Sequence, residues 1–83
     1  MNLKLVTWDI NLTQFLVDAA TNEEAIKKAI DANMKYGDVS EIEEEIKDES
    51  TYTVETVDLS LLSEIFARWD WHGAYGEAII FDD

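Results

Sequence analysis

The chain lacks cysteine altogether, which removes disulfide staples and thiolate metal sites at once. Proline is absent too, and only three glycines, Gly37, Gly73 and Gly76, are left to punctuate 83 residues. The longest uninterrupted apolar run is Ala78–Phe81, far short of the ~20 residues a membrane-spanning helix needs. Asp9 interrupts the stretch where a secretory leader would be apolar, so a cytosolic address is expected. His72 is the single histidine, and no serine sits in a nucleophile motif. Catalytic residues, cofactors and metal ligands are therefore not expected, and the segment Asp70–Gly73 lacks the alternating oxygen ligands of a calcium loop. Basic residues are also scarce, six against nineteen acids, so direct binding to nucleic acid is not expected either.

What is present argues for a packed interior. Apolar residues make up 47% of the chain, with three Trp, three Tyr and three Phe, unlike an acidic disordered tail. The length suits one domain spanning residues 1–83. The net charge of −13 is unevenly placed. Residues 1–35 carry five acids against four lysines, or −1, whereas residues 36–83 carry fourteen acids against Lys47 and Arg68, or −12. Such a field repels nucleic acid and anionic membrane and attracts a basic protein surface.

Residues 3–8 and 14–19 read as two strands of a hairpin, joined by the polar segment Asp9–Thr13. Thr21-Asn22-Glu23-Glu24 is a capping box, and the apolar period from Ala25 to Met34 predicts a helix that Gly37 is placed to end. Ser40-Glu41-Ile42-Glu43 repeats the capping signal and predicts a shorter helix around 41–48, with Ile42 and Ile46 on its inner side. The β-branched run Thr51–Asp58 predicts a strand. Beyond it, Leu59, Leu62, Phe66 and Trp69 form the stripe of a third helix, widened by Leu61 and Ile65. Trp71–Gly76 reads as an aromatic loop and Ala78–Phe81 as a last strand. The expected fold is α+β in the order β-β-α-α-β-α-β: a mixed four-stranded sheet, two to three helices, and the main helices on one face.

Two constellations are candidates for contact with a partner. On a helix over 41–48, Glu41, Glu44, Glu45 and Asp48 share one stripe, with charges ~3.5 Å apart along the axis. That spacing is close to the ~3.4 Å between phosphates along one strand of B-DNA. Asp38, Glu49 and Glu55 could extend the patch. The plainer alternative is a solvated helix face that keeps the chain soluble. The second constellation is Trp69, Trp71, His72 and Tyr75, where Trp69 is expected in the core and His72 and Tyr75 are expected exposed near a partner.

In size, acidity, absence of cysteine and acidic clustering, the whole chain resembles the small acidic inhibitors that phages encode against bacterial defence, the anti-CRISPR proteins and anti-restriction DNA mimics. The resemblance is one of composition rather than motif. It implies an inhibitor whose acidic face mimics DNA and occupies the basic nucleic-acid-binding groove of a defence nuclease complex in the host cytoplasm, without a cofactor. An immunity protein or antitoxin that neutralises a basic nuclease toxin would share the same electrostatics.

Overall fold

The computed structural model describes residues 2–36, 42–68 and 70–82. Strand β1 (Leu3–Trp8) and strand β2 (Gln14–Asp18) form the expected hairpin, with Val6 opposite Phe15 and Leu5 opposite Leu16. Helix α1 (Asn22–Tyr36) starts at the predicted cap, where Thr21 Oγ1 accepts the Glu24 amide at 3.1 Å. The Glu24 carboxylate returns to the Ala20 N–H, one residue earlier than in the standard box. Helix α2 (Glu43–Lys47) and a 3₁₀ turn (Glu49–Thr51) lead into strand β3 (Tyr52–Thr56). A second 3₁₀ turn (Leu59–Leu61), capped by Asp58 Oδ1 on the Ser60 amide, enters helix α3 (Leu62–Arg68), and strands β4 (Asp70–Tyr75) and β5 (Ala78–Asp82) close the chain.

The α+β class holds, but the sheet has five strands rather than four, and it is antiparallel rather than mixed. The strand order is β3-β1-β2-β5-β4. The additional strand comes from the segment expected to be an aromatic loop. Its glycines do not break the strand. Gly73 (φ 116°) lies beside a bulge between Trp71 and Gly73, and Gly76 (φ 57°) takes the first central position of a two-residue turn closed by Tyr75 and Ala78. A left-handed residue there matches the twist of the hairpin, and glycine adopts it without steric cost. The mixed sheet fails for a topological reason. β2 and β3 run in the same direction, but β1 lies between them and pairs antiparallel with both.

The helices also do not share one face. Val6, Trp8, Phe15, Val17 and Ile80 pack with Ala25, Ala29 and Ala32 of α1 and Ile46 of α2. Their neighbours along the strands, Leu5, Leu16 and Phe81, point the other way and pack with Val57 and with Ile65 of α3. Burial on both faces explains why consecutive residues are buried, Lys4 to Val6 in β1 and Phe15 to Val17 in β2, rather than alternate ones. Within 59–68 Ile65 is buried against the sheet, Leu62 is half-buried beside it, and Phe66 reaches the sheet through one edge of its ring. Leu59, Leu61 and Phe66, placed in the buried stripe by helical spacing, are 58%, 47% and 42% exposed. For Leu59 and Leu61 the reason is the 3₁₀ turn, because at three residues per turn it rotates them away from the direction an α-helix would give them, whereas Phe66, on α3, keeps an edge-on contact with Phe81 at 5.1 Å. Trp69, expected in this core, lies outside the described residues.

Candidate acidic interface

Helix α2 is held to the body by a short buried chain of polar groups. The Asn33 side chain, itself 4% exposed, donates from Nδ2 to the Tyr52 hydroxyl at 3.0 Å. That hydroxyl donates to the Ile46 carbonyl at 2.6 Å. One residue from each of α1, β3 and α2 is thereby fixed, and the Ile46 side chain fills the core beneath. Burial raises the Tyr52 pKa above its ordinary value, and the Asn33 hydrogen bond acts in the opposite direction. Tyr52 also stacks on Trp8, with ring centroids 6.3 Å apart, while Trp8 Nε1 donates to Thr51 Oγ1. The segment that carries the acids is anchored from below by these contacts.

The helix is shorter than its sequence suggests. It begins after Ile42, which has no side-chain cap, and Glu43 is engaged with Lys47 at 2.7 Å rather than turned back in a capping box. It ends before Asp48, whose backbone is extended (φ −75°, ψ 103°). The continuous helical stripe Glu41–Glu44–Glu45–Asp48 is therefore not formed: Asp48 lies beyond the helix, and Glu41, like Asp38, lies outside the described residues. Asp48 instead caps the following 3₁₀ turn, accepting from the Ser50 hydroxyl at 2.6 Å and from its amide at 3.0 Å. These bonds, the hydroxyl's first, lower its pKa and hold it ionised.

Glu44, Glu45 and Glu49 are exposed and have no cationic partner among the described residues. The lysines that could neutralise them are occupied elsewhere. Lys27 pairs with Glu23, Lys28 with Glu24 and more distantly with Glu77, and Lys35 with Asp31. Lys4 is buried in the sheet, where its Nζ donates to Thr56 Oγ1 at 3.3 Å. Spacing four residues apart on α1 makes these pairs local, so the first helix balances its own acids and leaves those of the later segment uncompensated.

The remaining candidates do not gather at α2. Glu55 stands opposite Leu5 and so projects from the α3 side of the sheet, the face away from α2. Tyr75 is half-buried on the α1 side, its ring 5.2 Å from that of Tyr36 in an edge-on contact, so its place is structural rather than at a free loop tip. His72 falls at the bulge of β4 and its side chain lies outside the description. What joins Glu44, Glu45, Glu49 and Glu55 is edge strand β3: the first three precede it on one side of the sheet, and Glu55 projects from it on the other. Residues 43–64 contain eight acids against Lys47 alone.

Sequence reasoning missed a cavity on the α3 side. It measures ≈ 110 Å³, with Leu5, Val57 and Ile65 among its apolar lining and Glu55, Leu61 and Glu64 contributing as well. No group of three or more metal-ligating side chains occurs among the described residues. The chain matches no protein-family model, and comparison with curated proteins and with solved structures gives no match.

Proposed function

We propose that this chain is a non-catalytic acidic binding protein that occupies a cationic, nucleic-acid-binding groove on a protein partner, with carboxylates standing where phosphates would lie. A defence nuclease complex is the partner its resemblance to phage inhibitors implies. The observation that carries the reading is the charge arrangement at α2 and the turn after it. Glu44, Glu45 and Glu49 are exposed and unneutralised, on a segment fixed by buried hydrogen bonds, while the lysines of α1 are taken up by that helix's own acids. Clustered like charges cost stability, and a cationic partner relieves that cost on binding.

The test is capture from a bacterial lysate on the immobilised chain at low salt, followed by elution with duplex DNA. A protein bound through its nucleic-acid groove is released by DNA and is not retained by the Glu44/Glu45/Glu49→Gln variant. Retention of the same protein by that variant, or indifference to excess DNA, refutes the proposal.

A further inference from the structure

The strand that joins the two halves of the acidic region has an open edge. β3 is terminal in the sheet, and its hydrogen-bonding phase follows from two flanking bonds, Asp9 N–H to Thr51 C=O at 2.8 Å and Val57 N–H to Leu3 C=O at 2.9 Å. With the antiparallel register Leu5↔Glu55 and Thr7↔Thr53, the odd-numbered residues of β3 bond to β1. The amides and carbonyls of Val54 and Thr56 consequently point away from the sheet, and no backbone partner for them occurs among the described residues. Native sheets commonly blunt such an edge with lysine, proline or a bulge. β3 carries one charge of this protective kind, Glu55, but no lysine, proline or bulge, and its register with β1 is regular over all five residues.

The surroundings of this edge specify what it can take up. An added strand places every second side chain on the α3 side, level with Glu55, and the others on the side that carries α2. On the α3 side the ≈ 110 Å³ cavity opens between β3 and α3, with Leu5, Val57 and Ile65 for an aliphatic stem and Glu55 on its rim for a cationic head. Lysine and arginine have that build. On the other side lie the acids of α2 and the turn after it. A second copy of the chain is the wrong occupant on charge grounds, because each copy carries −13 and edge-to-edge pairing would bring Glu55 and the acids that flank β3 against their own like.

We propose that the open edge of β3 binds an extended, lysine- or arginine-rich segment of the partner by strand addition, with one cationic side chain seated in the cavity beside Glu55. The inference rests on the partner being basic, as in the function proposed above, but adds a backbone-specific contact that charge mimicry alone does not contain.

The experiment uses the full ¹⁵N-labelled chain and a nine-residue peptide of alternating lysine and valine. A second peptide, otherwise identical, is N-methylated along one edge. Strand addition predicts that the first peptide slows exchange of the Val54 and Thr56 amide protons. N-methylation then weakens binding about ten-fold or more, the loss expected from two or so backbone hydrogen bonds. Glu55→Lys weakens it similarly while the far-ultraviolet spectrum stays unchanged. Equal binding of both peptides, with shifts confined to α2 and the turn after it, overturns the edge inference and leaves the acidic-binder reading standing. Binding of neither peptide at low salt overturns both. Protection of Val54 and Thr56 that grows with protein concentration, without peptide, identifies a second copy as the occupant and also overturns it.

Discussion

Replacing Tyr52 by phenylalanine removes one oxygen and nothing else from the centre of the structure. The ring remains to stack on Trp8 and to tilt against Phe15 at 6.5 Å, so apolar burial is unchanged. What is lost is the acceptor for the buried Asn33 Nδ2 and the donor to the Ile46 carbonyl. Leaving buried polar groups unpaired costs about 1–3 kcal/mol. In a domain of this size that lowers Tm by roughly 5 to 20 °C. Urea and thermal unfolding measure the loss, and hydrogen exchange should show it concentrated in α2. The double variant Asn33→Leu/Tyr52→Phe should be less destabilised than the sum of its singles, since both sides of the Asn33–Tyr52 bond then go together. The same hydroxyl sets an alkaline signature. Burial raises its pKa, so the unfolded chain ionises near pH ~10 while the folded one still holds the proton. Tyr52 therefore contributes its stability fully below about pH 10, and this is lost as pH rises toward the folded value. Wild type should lose stability above pH ~10 more steeply than Tyr52→Phe. A variant as stable as wild type, with the same alkaline profile, refutes the account of how α2 is held.

Other substitutions test the two turns and the acid segment. Leu12 sits at φ 66°, a left-handed conformation that costs a branched residue about 1 kcal/mol, and its side chain is 63% exposed. Leu12→Gly should consequently leave Tm unchanged or raise it by a few degrees, and a clear fall would show that the leucine packs usefully. Gly76→Ala should destabilise by about 1 kcal/mol in urea unfolding, because φ is 57° and the new Cβ would stand 2.5 Å from Asp31 Oδ2. Ile46→Ala, at a side chain 1% exposed, should cost about 2–5 kcal/mol and accelerate exchange throughout α2.

Local signals in the sequence located most of the elements. The Thr21 cap, the polar Asp9–Thr13 turn and the β-branched run before Asp58 act within a few residues of themselves, and each is found where expected. Features set by distant contacts were not legible. Gly73 and Gly76 suggest a loop when taken alone, and become a bulge and a hairpin turn only because β5 is available to pair with β4. Leu59 and Leu61 fit a helical stripe until the chain tightens to a 3₁₀ turn. At the candidate site, acidity along the sequence was plain, and so was the seat of Ile46 in the core. The placement of Glu55 on the opposite face from α2 depends on strand register with β1, and the cavity beside it depends on α3 crossing that face. Neither has a signature in composition or spacing.

The central claim is that exposed, uncompensated carboxylates on α2 and the following turn hold a cationic partner. Its most direct measurement is the dissociation constant of the captured partner across a salt series, for wild type and for Glu44/Glu45/Glu49→Gln. The account predicts a steep linear weakening with log salt for wild type and a distinctly shallower slope for the variant, as fewer ionic contacts are screened. Identical slopes for the two proteins, or wild-type affinity indifferent to 0.5 M salt (where the Debye length is only ~4–5 Å), would contradict it.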